Sequence, residues 1–535
     1  MRLPLFPQFF LVLLTCHFTH MSAGGADTAP PAKEKRRLVL CNDGGSLGAP
    51  GMEAPIGIEG LVREAIDPLR DTMVDTLYWQ IGVDPWMGTD THRLSDWYLH
   101  RTKVGTLWGS DRDKFKTASE WRIYENAHQM MEQGTDPVAV VIEHGHKAGL
   151  DVFVSFRIND GHDSRLKDGS KDTNLVPMRR DHPEWLIHGD GFAKFEYNFA
   201  VPEVRAYTLA LITEAIENYD LDGFDLDFCR QPKLFKNGEG EKNIALITDM
   251  VRAVRASLDA RGKVLGRKLL LSMRVPPELD KMHDEGMDVA SWIKDKLVDI
   301  VIVGDPFGWN YRLPVEKFKE LAKGTGCKIL AQNLCAFKED RGRSASVLFG
   351  ERDYYSTAQF RAVAALHWQA GADGMYLWNQ HWLKHYRDAQ FDRQSWKEIG
   401  DPAVLAHKDK HYIVGPQERG GPLPLILAQA GDNLELNVEI ADAPTASGAQ
   451  ATLRLMIEQL TTLDHLDIRL NGTALDLASA KKRLNYNDCW LDLDVTKLMR
   501  KGGNALVIKC TARNPHVLAP LKVRRVDVLV NGLGK

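Results

Sequence analysis

The sequence predicts a (β/α)8 TIM barrel followed by a C-terminal all-β sandwich domain, and three observations lead to this prediction. From residue 37 to about residue 401, short β-rich runs alternate with longer stretches of helical periodicity, as in a parallel sheet built from βα units. We find eight such runs, which is the number of strands in this barrel. Beyond residue 401 the pattern changes to short alternating strands separated by Gly-containing turns. The eight runs are 38–42, 76–81, 151–158, 223–228, 268–273, 298–303, 328–332 and 374–378.

The segments between these runs complete the barrel prediction. Several runs are nearly continuous apolar segments, the pattern of a parallel strand that is covered on both faces. Residues 202–219 and 244–258 carry apolar side chains at helical spacing. The long connections 84–150 and 159–220 are rich in Trp, His and Asp, and we expect them to form walls over the barrel mouth. Because chemistry in this fold takes place at the C-terminal strand ends, the residues after each run are the candidate site residues.

Composition and pattern also predict the domain boundaries. We place the barrel at 37–405, a polar linker at 406–423 and the β-sandwich at 424–535. The sandwich is predicted from alternating stretches such as 434–438 and 466–470, with turns at Asn471-Gly472 and Gly502-Gly503. Such a domain could bind carbohydrate or brace the barrel, and we favour the bracing role.

The N-terminus predicts export. Arg2 precedes a short apolar run, and small residues follow at Ser22, Ala23 and Gly24, as in a signal peptide at 1–24 with a linker at 25–36. We therefore expect a secreted or periplasmic protein without a lipid anchor. In an oxidising compartment Cys327 could pair with Cys335, or Cys489 with Cys510.

The composition excludes several classes of protein. The chain has 535 residues, of which 44% are apolar and 26% are charged, and its formal net charge is -4. This balance is that of a globular protein rather than a disordered one, and it offers no basic field for nucleic acid. Since no later segment approaches about 18 consecutive apolar residues, no membrane insertion is expected either.

The most informative motif is the fourth run, 221–230. Strand alternation places Phe224, Leu226 and Phe228 on one side and Asp225 and Asp227 on the other. The apolar set should pack under the helices, so both carboxylates should point into the barrel. Two buried acids are costly unless they are paired or share a proton, and such pairs give a site one raised and one ordinary pKa. The alternative is a structural network in which arginines satisfy both carboxylates.

The same residues resemble known families of barrel enzymes. The order Asp222-Gly-Phe-Asp225-Leu-Asp227-Phe-Cys229 looks like the D-G-x-D-x-D-x-E strand of family 18 chitinases, but Cys229 stands where those enzymes have their proton-donating glutamate. A closer resemblance is to bacterial glycosyl-hydrolase-like proteins that are distantly related to family 10 and to α-amylases, with the pattern D-G-x-x-x-D-x-x-R-x-P. Asp222, Gly223, Asp227, Arg230 and Pro232 match it. This resemblance implies a barrel glycosidase in which Asp227 is the nucleophile or base and Asp225 orients it.

A glycosidase of this kind needs a second carboxyl group, which donates a proton to the leaving oxygen. Position after an apolar strand favours Asp305, whereas the amylase-like resemblance favours Glu278, which follows the fifth run. Asp43 and Asp160, after the first and third runs, are weaker candidates. The sequence leaves Glu278 and Asp305 open as the acid.

Other polar and aromatic residues at strand ends are candidate substrate contacts. The three arginines of this set could keep Asp225 and Asp227 ionised, or could bind sulfate or carboxylate groups of an anionic sugar. Flat rings at strand ends could stack on sugars. The candidates are Arg157, Arg230, Arg274, Asn333, Trp378, Asn379, His381 and Trp79.

The sequence thus predicts an exported glycoside hydrolase that acts on a poly- or oligosaccharide, with no cofactor and no metal. His144 and His146 lie before the third run rather than at a strand end, so a metal-dependent hydrolase is the least favoured alternative. A glycan-binding protein on a degenerate barrel is the other alternative, because Cys229 replaces a glutamate. The sequence does not indicate the sugar, the linkage or the oligomeric state.

Overall fold

The computed structural model describes residues 37–47, 54–82, 96–110, 112–115, 117–161, 175–230, 233–306, 310–333, 356–381, 393–415 and 421–533. The signal peptide and linker predicted at 1–36, and Cys335, lie outside the described residues. Export and the Cys327–Cys335 pairing therefore stay predictions.

Eight parallel strands close into a barrel, and each of them coincides with one of the eight predicted runs. Their order around the barrel is β1-β8-β7-β6-β5-β4-β3-β2. This closed barrel confirms the predicted fold class. The runs could be recognised in the sequence because a strand covered on both faces favours near-continuous apolar residues. The strands are β1 (Leu38–Asn42), β2 (Thr76–Ile81), β3 (Asp151–Arg157), β4 (Gly223–Asp227), β5 (Leu270–Val275), β6 (Ile300–Val303), β7 (Lys328–Asn333) and β8 (Gly374–Trp378).

Helices surround the barrel, and local sequence signals fix several of their ends. Thr117 and Glu120 form a capping box at the start of α2, and Gly266 ends α6 in the left-handed conformation with φ of 68°. None of the described helices is long and apolar enough to cross a membrane. The helices are α1 (Gly57–Ala65), α2 (Ala118–Glu132), α3 (Pro137–Lys147), α4 (Pro177–Asp181), α5 (Pro202–Asn218), α6 (Ile244–Leu265), α7 (Leu279–Met282), α8 (Val289–Lys294), α9 (Val315–Ala322), α10 (Thr357–Gln369), α11 (Pro402–Leu405) and α12 (Pro444–Ser447).

The barrel interior is apolar at its lower levels and polar toward the mouth, the end at which the strands finish. Tyr78 and Phe153 stack at the lower, apolar levels with ring centroids 4.7 Å apart. A Cβ atom on Gly223 would lie 2.3 Å from the Phe153 ring, so the bulk of Phe153 requires glycine at the start of β4. This packing sets the level from which the side chains of β4 rise toward the mouth.

The C-terminal part consists of two antiparallel sheets that share one buried apolar cluster, with the short helix α12 between two of their strands. The six-stranded sheet runs β9-β18-β12-β16-β15, with β10 also paired to β18, and the four-stranded sheet runs β11-β17-β13-β14. We call this part the C-terminal β region. Its strands are β9 (Lys410–Ile413), β10 (Leu425–Leu427), β11 (Asn433–Ile440), β12 (Gln450–Glu458), β13 (His465–Leu470), β14 (Thr473–Ala474), β15 (Lys481–Asn485), β16 (Asp488–Asp494), β17 (Gly502–Ala512) and β18 (Leu521–Asn531).

Two sequence expectations differ from the structure here. The segment 406–423, expected to be a linker, contributes strand β9, because its backbone pairs with β18. The expected disulfide between Cys489 and Cys510 is wrong. Both thiols are free and buried, on β16 and β17 of different sheets, where each packs into the shared apolar cluster as a small apolar side chain.

The C-terminal β region packs directly on the barrel. Ala362 and Leu366 of α10 belong to its apolar cluster, and Arg312 Nε donates to Glu439 Oε2 at 2.9 Å across the boundary. These contacts are compatible with the bracing role that the sequence favoured.

Candidate active site

The residues of the fourth-strand motif lie at different levels of the barrel. Asp222, the first acid of the motif, stabilises the end of the barrel opposite the mouth. Asp222 Oδ2 accepts the backbone N–H of Val152 at 2.8 Å and hydrogen-bonds His146 Nε2 at 2.8 Å, while Asp222 Oδ1 pairs with Arg267. These contacts lie at the strand end opposite the mouth. Asp222 and His146 therefore serve the fold, and His146 is engaged far from the strand ends where chemistry takes place.

One level higher, Asp225 lies completely buried between two serines. Ser155 Oγ donates to its Oδ2 at 2.7 Å, and Ser272 Oγ donates to its Oδ1 at 2.9 Å. Burial and the neighbouring charge of Asp227 raise the pKa of Asp225 to about 7, although the hydrogen bonds from the serines work in the opposite direction. The carboxylates thus point into the barrel as predicted. Asp225 is nevertheless held by serines of β3 and β5 and makes no hydrogen bond to Asp227 among the described residues.

Asp227 lies at the top level and is held by Arg274 of the neighbouring strand β5. Arg274 Nε donates to Asp227 Oδ1 at 3.0 Å, and Arg274 Nη2 donates to Oδ2 at 3.0 Å, a bidentate ion pair. The backbone N–H groups of Cys229 and Arg230 also donate to Oδ1, at 2.9 and 3.1 Å. Oδ1 therefore accepts three hydrogen bonds and Oδ2 accepts one from the described residues. Arg274 and the backbone orient Asp227, which is the role that the sequence assigned to Asp225.

Arg274 is itself fixed from three sides. Its Nη1 donates to Gln332 Oε1 at 2.9 Å, and its guanidinium lies 4.7 Å from the centroid of the Trp378 ring. A Cβ atom on Gly304 would lie 2.2 Å from Gln332 Oε1, so glycine at the end of β6 leaves the room that Gln332 needs. Burial is the largest single influence on the pKa of Arg274 and acts to lower it, but the charge and hydrogen bonds of Asp227, together with Cys229 and Tyr376, leave that pKa raised. Arg274 thus stays charged while fully buried.

Arg230 approaches the same tryptophan from the loop after β4. Its Nη1 donates to the carbonyl of Pro306 at 3.1 Å, and its guanidinium lies 5.3 Å from the centroid of the Trp378 ring. Trp378 is 5% exposed. Two guanidinium groups therefore already contact the ring that the sequence offered for sugar stacking.

A second group of charged residues gathers around Asp43, at the end of β1. Asn379 Nδ2 donates to Asp43 Oδ2 at 2.9 Å, and His381 Nε2 lies 3.2 Å from Asp43 Oδ1. Arg157 Nη1 donates to Asp160 at 3.0 Å, and its Nη2 lies 3.9 Å from Asp43. Asn379 has φ of 52°, a strained conformation for a residue other than glycine. The structure brings Arg157, Asn379 and His381 together here, with the two acids that the sequence ranked as weaker candidates.

The two acids proposed as proton donors occupy different environments. Asp305 is 6% exposed, and its Oδ2 accepts the backbone N–H of Asn310 at 2.9 Å. Glu278 is exposed and lines a pocket of about 540 Å³ between the barrel and the C-terminal β region, together with Tyr311 and Asn437. Of these two acids, Asp305 is the one close to Arg274, whose Nη1 lies 3.5 Å from its backbone carbonyl.

Two of the predicted substrate contacts face away from the barrel interior. Trp79 packs in the apolar layer between the strands and the helices, whereas Tyr78 of the same strand packs in the interior cluster. Asn333 is fully buried, and its Nδ2 donates to the carbonyl of Phe360 in α10 at 3.5 Å. Because side chains alternate along a strand, an inward Gln332 requires an outward Asn333. Neither side chain therefore faces the barrel interior, where Asp225 and Asp227 lie.

The comparisons with known proteins agree with the fourth-strand motif. Residues 103–246 match the model of the family described as glycosyl hydrolase-like 10. A relative named glycosyl hydrolase YngK, from Bacillus subtilis (strain 168), is 31% identical over 111 residues. That alignment covers 20% of this chain and 20% of the relative, so the chain spans a fifth of the length of the curated relative it matches. The predicted resemblance to glycosyl-hydrolase-like proteins is confirmed over the segment that contains Asp222 to Arg230.

Solved structures that align with this chain have low sequence identity to it and low TM-scores. An endo-β-1,4-mannanase from Thermotoga petrophila aligns over 93% of this chain and 98% of its own, with a TM-score of 0.42 and 9% identity. An α-amylase from Geobacillus thermoleovorans, complexed with acarbose, aligns over 88% and 98%, with a TM-score of 0.40 and 10% identity.

Sequence reasoning missed three residues of this region. Gln332 and Gly304 support Arg274, and strand alternation counted from the interior Leu330 would have indicated Gln332. Glu196 lies 1% exposed in the connection between β3 and α5. An acid flanked by the aromatic residues Phe195 and Tyr197 was the signal for its burial.

Proposed function

We propose that this protein is an exported glycoside hydrolase that cleaves an O-glycosidic bond of a poly- or oligosaccharide, with Asp227 as nucleophile or base. The observation that carries the proposal is the geometry of Asp227 at a strand end of the barrel. Its Oδ1 is saturated by three donors, while Oδ2 accepts one hydrogen bond, from Arg274. Oδ2 therefore keeps lone pairs for a substrate atom.

The chemistry of glycoside hydrolysis fits such a group. Its transition state carries positive charge at the anomeric carbon, and a fixed carboxylate stabilises that charge, attacks the carbon or activates water. Because Arg274 and two backbone amides hold Asp227 before substrate binds, this carboxylate is already oriented when the reaction begins. The match of residues 103–246 to the glycosyl hydrolase-like family supports the same reaction class. Export is supported by the pattern of the first 24 residues.

A glycan-binding protein without activity is the second candidate, and Cys229 is the observation that favours it. Cys229 stands where family 18 chitinases have their glutamate. Its thiol is completely buried, and burial raises its pKa. The thiol is therefore too weak an acid to replace that glutamate as a proton donor at neutral pH. Activity then requires a proton donor elsewhere in the barrel.

Reducing-end release separates the two candidates. The mature protein is incubated with a panel of neutral, sulfated and uronic polysaccharides, next to Asp227→Asn and the surface control Asp249→Asn. We expect cleavage of at least one polysaccharide, a loss of roughly a thousandfold or more in Asp227→Asn, and full activity in the control. Binding of that polysaccharide should persist in Asp227→Asn. If no polysaccharide is cut while a glycan binds all three proteins equally, the binding function replaces the catalytic one.

A further inference from the structure

Exposed apolar side chains gather in the C-terminal β region. Among the residues that the structure describes, seven large apolar side chains are exposed, and two of them lie on helices of the barrel. The other five belong to the C-terminal β region, where Leu518 is 98% exposed and Tyr486 is 89% exposed. Single exposed apolar residues are ordinary, but a concentration of them marks an interaction surface. The five are Ile426, Leu463, Leu484, Tyr486 and Leu518.

Strand register places these side chains at one end of the region. Glu458, the last residue of β12, pairs with Asp488 at the start of β16 and with Lys522 near the start of β18. The ends of β10 and β18, and of β13 and β17, meet at the same level. The ion pair of Glu439 with Arg312 of the barrel lies near the opposite end of β11. We call the surface formed by the connections 428–432, 459–464, 486–487 and 513–520, with the two residues on either side of each, the free end.

Hydrogen bonds hold the connections of the free end in place. The backbone N–H of Gln459 donates to the carbonyl of Asn487 at 2.7 Å and joins two of the connections. Asn514 Nδ2 donates to Thr461 Oγ1 at 3.0 Å, and the Asn514 backbone N–H donates to Asp464 Oδ1 at 2.8 Å. The exposed apolar side chains therefore project from a preformed surface.

Tyr486 has an unusual backbone conformation for an aromatic residue. It occupies the two-residue turn between β15 and β16 with φ of 48°, a conformation that such turns usually give to Asn, Asp or Gly. A bulky residue is strained there. Because the ring is almost fully exposed, packing within the fold does not offset this strain. Contact of the ring with another molecule would explain why tyrosine stands at this position.

Two lysines flank the exposed apolar side chains. Lys482 lies two residues before Leu484, on the same side of β15, and Lys522 is the register partner of Ile426. Within the part of the chain that the structure describes, neither lysine side chain has a hydrogen bond or an ion pair. Both positive charges are therefore available to a partner.

Three acids of the free end are engaged inside the fold. Asp464 pairs with Arg513, and Glu458 pairs with Arg524. Asp432 accepts two backbone N–H groups of its own connection, at 2.7 and 3.1 Å. The free end thus combines protruding apolar side chains with positive charge that these acids do not neutralise.

We infer that the free end docks the protein on an anionic lipid surface. The apolar side chains enter the boundary between headgroups and acyl chains, and Lys482 and Lys522 lie next to lipid phosphates. Docking of this kind is peripheral and needs no membrane-spanning segment. It is independent of hydrolysis, because the free end includes no residue of the barrel mouth.

The composition of the free end favours lipid over a glycan or a second protein. Four of the five apolar side chains are aliphatic, whereas sugar faces stack on flat rings. The side chains project from different strands and connections, and a fluid acyl layer accommodates separate tips without matching pockets. Tyrosine is typical of the interface between lipid and water, because its ring is apolar and its hydroxyl is polar.

Co-sedimentation of the mature protein with vesicles tests this docking. The vesicles contain phosphatidylglycerol mixed with phosphatidylcholine, or phosphatidylcholine alone. The natural protein is compared with Tyr486→Ser/Leu518→Ser and with the control Val264→Ser, which removes an exposed apolar side chain of α6. We expect the natural protein and the control to sediment with the anionic vesicles. The free-end variant should bind them about tenfold or more weakly, because affinity follows the apolar area that enters the lipid.

The charge contribution has its own variant. Lys482→Gln/Lys522→Gln should also bind the anionic vesicles about tenfold more weakly, and its difference from the natural protein should shrink as salt is added. Lys263→Gln/Lys294→Gln, at exposed positions of α6 and α8, is the matched control and should bind like the natural protein. Equal losses in both lysine variants would indicate attraction by overall charge and contradict docking through the free end.

Other outcomes also overturn the inference. The natural protein could stay in the supernatant with both kinds of vesicle, or Val264→Ser could lose as much binding as the free-end variant. If the natural protein ignores lipid but binds insoluble polysaccharide through Tyr486 and Leu518, the free end is a glycan site. If it ignores lipid but forms dimers that Tyr486→Ser/Leu518→Ser abolishes, the free end joins two copies of the chain. Because the substituted side chains lie at the surface, every variant should keep the Tm and the turnover of the natural protein.

Discussion

The carboxyl of Asp225 titrates in the folded barrel near pH 7, so its protonation makes the free energy of unfolding depend on pH. Asp225→Asn should remove this contribution. The pKa of Asp225 is raised from its ordinary value of 3.8 to about 7. A raised folded pKa means that the native protein binds the proton more tightly than the unfolded chain does. The stabilisation is complete below about pH 4, declines as the pH rises to about 7, and is absent above that pH.

The size of this effect follows from the two pKa values. A difference of about three between them corresponds to about 4 kcal/mol of unfolding free energy at 25 °C. Of this stabilisation, about 3 kcal/mol is lost when the pH rises from 5 to 8.5. Asparagine is neutral at both pH values and can keep hydrogen bonds with Ser155 and Ser272. Asp225→Asn should therefore gain about 3 kcal/mol relative to the natural protein when the pH is raised from 5 to 8.5.

Equilibrium urea denaturation at the two pH values measures this difference. Glu196 and all other groups are the same in both proteins, so subtracting one unfolding free energy from the other isolates Asp225. Asp249→Asn, the same substitution at an exposed position of α6, is the matched control and should show no such gain. If Asp225→Asn differs from the natural protein by the same amount at both pH values, Asp225 does not titrate in this range and the reasoning is refuted.

Three further substitutions test the roles assigned to Gln332, Asp222 and Cys229. Gly304→Ala places a methyl group 2.2 Å from Gln332 Oε1, and steady-state kinetics should show kcat lowered about tenfold to a hundredfold with Tm nearly unchanged; an unaltered kcat would contradict the role of Gln332. Asp222→Ala removes a partly buried acceptor at the bottom of the barrel and should lower the unfolding free energy by about 1–2 kcal/mol, with turnover per folded molecule retained. Cys229→Ala should lower stability by about 1 kcal/mol and keep turnover within a few-fold, whereas a loss of activity at full stability would assign the thiol a catalytic role.

Local patterns predicted the frame of this protein well. Each barrel strand was found from a short β-rich run. Several of these runs are nearly continuous apolar segments, because a parallel strand covered on both faces favours apolar residues on both. The inward direction of Asp225 and Asp227 followed from strand alternation, which depends only on neighbouring residues. Trp79 and Asn333 lie on the outer face of their strands, because nearness to a strand end does not say which face a side chain takes.

The sequence by itself thus determined the order of the strands, the strand that carries the acidic motif and the side of that strand on which its acids lie. Only the tertiary structure decided which groups meet those acids. Arg274, 47 residues beyond Asp227, becomes its partner because β5 lies beside β4, and Gln332 supports Arg274 from β7, on the far side of β6. The long connection after β3 is held in place because Asn159 hydrogen-bonds both backbone groups of Tyr197, 38 residues further along the chain. Periodicity is a property of a few consecutive residues, whereas closure of the barrel brings together side chains whose separation in sequence carries no signal.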